Sequence, residues 1–537
     1  MRRVVGGLRE DRTFPQVDGM HGPETRAGAA IHGIGDFSRP SIALFFLAVL
    51  GIVAIPVVTH TFPPLSDYIN HLGRGYIINH IDTDPYFARY YFTKWQVLPN
   101  LMIDLFMFVL LPFMDVYRAG QVFTLTAFVL TLSGTLALNR ALYGRWSALP
   151  LVAAPLLYNG VLLVGVMNYI FGIGLTLWAF AAWVACRERH WPQRLLVSTA
   201  FSVALFFCHL YAVGIYGLLV LAYELHLLHA RRAERLSTRL LEFFAAGLPF
   251  LPVLALLSAS PTLRAVNDFY WMADGKLLGL SLAVSVYYDT VAFVLVGGAA
   301  AATVWAYRRR ILHFHPAGWV ILVVGAIVYI AMPRAIFAAH LADQRLPIAL
   351  AFVLIACFRA EFRQLVERRV FAGLVIALLT IRIAEVQVVW DRLALVSAAF
   401  HRSVMLLKRG ARVLVVHGDR SSGKDVSDFE LMHAASLATI ERSALVSTTF
   451  TVKGKQILHV RDEFRKYVET EDRLPPSLPY FLEAADHDVP YFFTRWPRHY
   501  DYVYILFTTN DPNPDPKDLK QLFDGPYFQL YQVIKRD

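Results

Sequence analysis

Long stretches of the chain carry no formal charge. Residues 41–60, 119–138 and 146–186 contain no Asp, Glu, Lys or Arg. A helix needs roughly 20 apolar residues to cross the hydrocarbon core of a bilayer, so the first two stretches suit one crossing each and the third suits two. The same pattern predicts spans at 41–60, 120–139, 147–160, 164–185, 195–209, 211–228, 242–259, 286–306, 317–333, 346–359 and 370–390. The expected fold class is a polytopic α-helical membrane protein of about eleven spans. Segment 99–112 is nearly apolar too, but Asp104 and its modest length also suit an interfacial or re-entrant helix. Segment 195–229 is long for one crossing and short for two.

The pattern changes after Asp391, where charged residues return. "ARVLVVHGD" (411–419), "DYVYILF" (501–507) and "YFQLYQVIK" (527–535) predict strands, being rich in Val, Tyr and Ile. "DPNPDPKDLKQLF" (511–523) predicts a Pro-broken loop leading into a short helix. Residues 391–537 are therefore expected to form a small α/β domain. At the other end, residues 1–40 mix acids, bases and glycines without an apolar core, so they do not read as a signal peptide. They are expected to be a mostly disordered cytoplasmic leader before a transmembrane domain at 41–390.

Composition adds to this picture. Of 537 residues, 56% are hydrophobic and 17% charged, whereas a soluble domain holds about a quarter charged. A net charge of +10 would suggest nucleic acid in a soluble protein. Here the arginines gather in short connections, at Arg140/Arg145, Arg187/Arg189/Arg194, Arg231/Arg232/Arg235/Arg239, Arg308/Arg309/Arg310 and Arg359/Arg363/Arg368/Arg369. Placing these in the cytoplasm follows the positive-inside rule and removes the case for nucleic acid. It leaves a first outer loop at 61–100, a tip near 158–165, connections at 260–285 and 334–345, and the tail on the opposite side. The three cysteines, Cys186, Cys208 and Cys357, form neither a disulfide framework nor a metal motif.

The candidate chemistry lies in the outer segments. "PPLSDYINHLGR" (63–74) follows the first span directly. A helix over 66–80 capped by Ser66 would set Asp67, His71 and Arg74 at i, i+4 and i+7, on one face. A carboxylate, an imidazole and a guanidinium there could activate a hydroxyl and bind an anionic phosphate. They also fit a capping acid, an interfacial histidine and a snorkelling arginine. Asp82 and Asp84 in "DTDP" suit an Asx turn before Pro85, or a divalent cation facing a phosphate. His209 interrupts an apolar run, and Asn159 and Asn168 flank an outer tip where amides satisfy helix ends. "PRAIFAAHLADQRLP" (333–347) brings Arg334, His340, Asp343 and Arg345 into one outer connection. Arginines there run against the charge rule, which suits a lipid phosphate or pyrophosphate; an Asp343–Arg345 surface pair is the simpler alternative. There is no P-loop, HExxH, Gly-x-Ser-x-Gly or CxxC.

This plan resembles the GT-C class of integral-membrane glycosyltransferases, which use polyprenyl-phosphate sugars. The resemblance rests on an acid soon after the first membrane exit, many further spans and a small outer tail domain. It is similar as well to uncharacterised bacterial multi-pass membrane proteins carrying D-x-x-N-H-x-x-R, PNL-x-x-D and N-Y-x-x-G. Here these are Asp67/Asn70/His71/Arg74, Pro99-Asn100-Leu101/Asp104 and Asn168-Tyr169/Gly172. Many GT-C enzymes have a paired DE or ED at the first-loop position, whereas Asp67 stands between Ser66 and Tyr68. The resemblance implies inverting sugar transfer from a polyprenyl-phosphate donor to an extracytoplasmic glycan, lipid or protein. Asp67 would be general base, with His71 or His209 orienting the acceptor, and Arg345, Arg74, Arg334 and His340 serving the phosphate. It implies a bacterial inner membrane with a periplasmic tail, and no certain cofactor beyond a divalent cation at Asp82/Asp84. Two other functions fit the composition: a transporter of lipid-linked glycans and a non-catalytic scaffold in envelope polysaccharide assembly. A transporter would show ionisable groups at mid-membrane in several spans.

Overall fold

The computed structural model describes residues 37–264, 270–336, 341–418, 431–470, 474–508 and 510–535. His340 lies outside them. Among the described residues seven helices are long and apolar enough to cross a membrane: Arg39–Thr59, Val116–Tyr143, Met167–Ala185, Leu210–Ala230, Leu236–Ala259, Asp289–Arg308 and Leu365–Val404. The chain is accordingly read as a multi-pass membrane protein. Shorter apolar helical stretches cover Leu149–Val164 and Pro316–Ala331. The two remaining expected spans are the helices Trp191–Cys208 and Ala342–Ala356. The second, 15 residues long, reaches only about 22 Å at 1.5 Å per residue, short of a ~30 Å core. Helix Met102–Leu110 is shorter still, and suits the re-entrant or interfacial alternative.

The ambiguous 195–229 segment resolves at a single residue. Helix Trp191–Cys208 stops at His209, whose backbone is extended (φ −164°, ψ 124°), and helix Leu210–Ala230 starts immediately after it. The His209 Nδ1 accepts the Tyr211 backbone N–H at 3.1 Å, capping the new helix. The two helices pack as a hairpin with His209 at its turn.

The tail builds a five-stranded sheet in the order Leu445–Val446, Arg412–His417, Tyr502–Leu506, Phe528–Val533, Leu519–Gly525. The first three strands pair in parallel and the last three antiparallel. Two expectations need correction. The segment expected to end in a short helix supplies the edge strand Leu519–Gly525, which turns back into Phe528–Val533 as a hairpin. Nor does the tail begin at 391, because helix Leu365–Val404 runs through that position. Its last turns enter the sheet's core: the Phe400 ring stacks on Tyr504 at 4.5 Å, and Ser403 Oγ lies 2.8 Å from the Tyr504 hydroxyl. A second tie joins tail to first loop, an antiparallel ladder of Tyr91–Thr93 with Leu458–Val460.

Candidate functional site

Asp67 is held by backbone before its side chain does anything. The Ser66 N–H donates to Leu163 O at 2.9 Å and the Asp67 N–H to Val164 O at 3.1 Å, so the exit from the first span is laced to the 160–165 turn. That turn needs glycine at its end: Gly165 has φ +80°, and a Cβ there would sit 2.7 Å from the Asp67 nitrogen. The helix begins at Tyr68, with Asp67 rather than Ser66 at the capping position, and the Asp67 carboxylate makes no capping bond. Asp67 instead lines the cavity described next.

Asp67, His71, Arg74, His209 and Arg345 all line one cavity of about 600 Å³. Its remaining wall is largely apolar, with Val164, Val328, Ala331, Met332 and Leu341 among its residues. The five polar groups have different partners. Arg74 is buried in a two-pronged pair with Asp104, Nε to Oδ1 at 2.8 Å and Nη2 to Oδ2 at 2.9 Å. Its guanidinium is already matched to a carboxylate, so its charge is compensated within the cavity wall. His71 has a buried Nδ1 without a hydrogen-bond partner and meets the Phe450 ring edge-on at 5.2 Å. Burial, then the nearby Arg74 charge and His433, push its pKa well below the usual histidine value, so it stands neutral at neutral pH.

Arg345 enters from the first turn of Ala342–Ala356 and lies 3.3 Å from His209 Nε2. The Tyr169 hydroxyl donates to the Arg345 carbonyl at 2.6 Å, fixing that turn. A guanidinium only donates, so in this contact His209 Nε2 is the acceptor, while Nδ1 faces the Tyr211 N–H. The Arg345 guanidinium lines the cavity as a cationic donor, which suits an acceptor such as a phosphate oxygen.

The other arginine of this connection has another partner. Asp343 is fully buried, 3.0 Å from Lys276 Nζ and 3.8 Å from Arg334 Nη1. Arg334 is thus drawn to Asp343 and is not among the residues lining the cavity, so the structure does not bring it together with Asp67 and Arg345. Nor is there an Asp343–Arg345 surface pair. Asp84 caps the helix Pro85–Tyr90 through the Tyr86 N–H at 2.9 Å and takes bonds from Ser443 (2.6 Å) and Arg409 (2.8 Å). Its lone pairs are used by the turn and the tail, while Asp82 is exposed; the cation expectation gives way to the Asx turn. Among the described residues no group of three or more His, Cys, Asp or Glu could hold a metal ion. Asn159 caps Gly160–Val164, and Asn168 bridges the Ile103 N–H and the Asn100 carbonyl, so both amides satisfy backbone.

Sequence reasoning missed the tail's contribution. His433 Nε2 lies 3.4 Å from Asp67 Oδ1, and Phe450, Lys455 and Gln456 line the same cavity. These residues carry no motif and stand over 360 positions from Asp67. The only legible sign was Asn70, three residues after Asp67, which is fully buried and bonds to the His433 ring.

No family model and no curated protein matches the sequence. Among solved structures the chain is similar to ArnT from Cupriavidus metallidurans, crystallised bound to undecaprenyl phosphate. The match covers 92% of this chain and 98% of that one, at 11% identity and a TM-score of 0.47. A likeness at that score carries no argument about the chemistry here.

Proposed function

We propose that this chain is a membrane glycosyltransferase that moves a sugar from a polyprenyl-phosphate donor to a hydroxyl acceptor on the outer side of a bacterial inner membrane. The observation that carries this is that one acid, Asp67, and one guanidinium, Arg345 beside His209, line a single half-apolar cavity. The prenyl tail would lie along Val328, Ala331 and Met332, with its phosphate on Arg345. Asp67 takes the proton of the acceptor hydroxyl as its oxygen bonds to the anomeric carbon. The bond from that carbon to the phosphate oxygen breaks on the opposite face, inverting the centre. The departing lipid phosphate keeps the electron pair, and the Arg345 guanidinium stabilises it. His71, neutral and partly buried, is suited to hydrogen-bond the acceptor rather than to carry charge.

The test is transfer of a labelled sugar from polyprenyl-phosphate donors in reconstituted membranes. Asp67→Asn should lose about 10²–10⁴-fold in rate while still inserting and folding. Full transfer by that variant would remove Asp67 as the base, and no transfer by the wild type from any such donor would favour a scaffold.

A further inference from the structure

The contact between Asp67 and the tail has a defined direction. Asn70 is buried, and its amide orientation is set by backbone on both sides: Oδ1 accepts the Phe450 N–H at 3.0 Å and Nδ2 donates to the Thr448 carbonyl at 2.7 Å. Swapping oxygen and nitrogen would set oxygen against a carbonyl and NH₂ against an N–H, so the assignment is unambiguous. The second N–H of that amide points at His433 Nδ1, 3.0 Å away. Nδ1 is therefore the acceptor nitrogen, and the ring proton sits on Nε2. Nε2 faces Asp67 Oδ1 at 3.4 Å, a long contact of the kind that tightens once substrate is bound. The ring is held edge-on to Phe450 at 5.0 Å, and Phe450 is the residue whose N–H fixes Asn70.

We propose that His433 is a positioning residue for Asp67: a neutral, Nε2-protonated imidazole that donates to the carboxylate only when the tail segment 448–450 is docked on Asn70. This rests on the proposed reading of Asp67 as base. His433 neither gains nor loses a proton in the transfer, because adding one at Nδ1 would set it against the Asn70 N–H. The device links loop to tail: Asn70 reads two backbone groups of the tail and passes their position to the acid three residues before it. Among the described residues the other charged or titratable groups lining the cavity are His71 and Arg74 on the same helix, His209, Tyr211 and Arg345 opposite, and Lys455 from the tail.

Three variants of the full-length protein in lipid nanodiscs test this. His433→Phe keeps the ring's shape without its donor; kcat should fall about 10–100-fold with the KM for lipid donor unchanged. The acidic limb of its pH–rate profile should move to higher pH, because the carboxylate anion loses a hydrogen bond. His433→Gln, which retains an N–H at the end of a similar reach, should recover most of the rate and the profile. Asn70→Ala should lower the rate in the same direction, with little further loss on adding His433→Phe. Solid-state NMR of ¹⁵N-histidine protein supplies a readout that needs no activity: the His433 ring should be an Nε2–H tautomer in the wild type and a mixture in Asn70→Ala. A wild type without transfer but with that tautomer would sink the transferase reading and leave the geometry standing. A wild-type rate and pH profile in His433→Phe, or an Nδ1–H tautomer, would overturn the inference.

Discussion

Arg74 and Arg345 share a cavity wall but have different partners, and partner decides role. Arg74 meets Asp104 in a matched fork with both side chains buried, so its charge is neutralised before any ligand arrives. Removing one member of such a pair leaves an uncompensated buried charge, which costs about 3–5 kcal/mol. Arg74→Met should therefore lower the thermal unfolding temperature and the folded yield, and Arg74→Met with Asp104→Leu should recover part of the loss. Arg345 instead meets a neutral side chain, His209, in the cavity wall, where its positive charge suits an anionic ligand. The spacing of Asp67, His71 and Arg74 was legible because helical periodicity is local. The Asp104 and His433 partners were not, because they lie 30 residues from Arg74 and 363 from Asn70. Separations of that kind are set by packing, to which a single sequence gives no access.

At the level of elements, the site depends on turns more than on helices. Gly165 allows the backbone at Ser66 and Asp67 to lie on the 163–164 carbonyls, and its positive φ already disfavours any side chain. Gly165→Ala should push the Asp67 backbone outward, reducing sugar transfer by about 10²-fold while costing only about 1–3 kcal/mol in stability. Transfer assays beside thermal unfolding would separate the two effects; an unchanged rate would mean that the acid's backbone seat is unimportant. The same scale explains where sequence patterns misled. Strand Leu519–Gly525 lies at the sheet edge with a register shift between Gln521 and Phe523, so it has no clean alternation to detect. The charges at Asp391 and Arg392 mark where a helix leaves the apolar layer, not where a domain starts, and that helix continues to Val404. By contrast, Arg412–His417, Tyr502–Leu506 and Phe528–Val533 are central strands, the first two with near-continuous apolar runs, and each fell where its Val, Tyr and Ile content placed it.

Taken as a whole molecule, the first loop and the tail form one body over one end of the helical layer. The ladder of Tyr91–Thr93 with Leu458–Val460 joins them, as do the Arg409–Asp84 pair and the Asn70 contacts. Phe92 and His459 are direct partners in that antiparallel ladder, at a separation a disulfide can bridge. Phe92→Cys with His459→Cys should therefore crosslink on mild oxidation, visible as a mobility shift, with transfer retained. Loss of transfer on crosslinking would mean that tail and loop must separate in each cycle. The sequence announced the two segments as separate outer pieces, one by its polar cluster and one by its strands. Their docking was not legible, since it depends on a three-residue ladder and a few side chains. The central claim is that acid and phosphate site share one cavity, and its most direct measurement is a structure of the wild type bound to a polyprenyl phosphate. The account predicts the phosphate within about 3 Å of the Arg345 guanidinium, the prenyl tail along Val328 and Met332, and Asp67 facing the sugar position. A phosphate held by Arg334 or by the cytoplasmic arginines, with the Asp67 cavity empty, would contradict it.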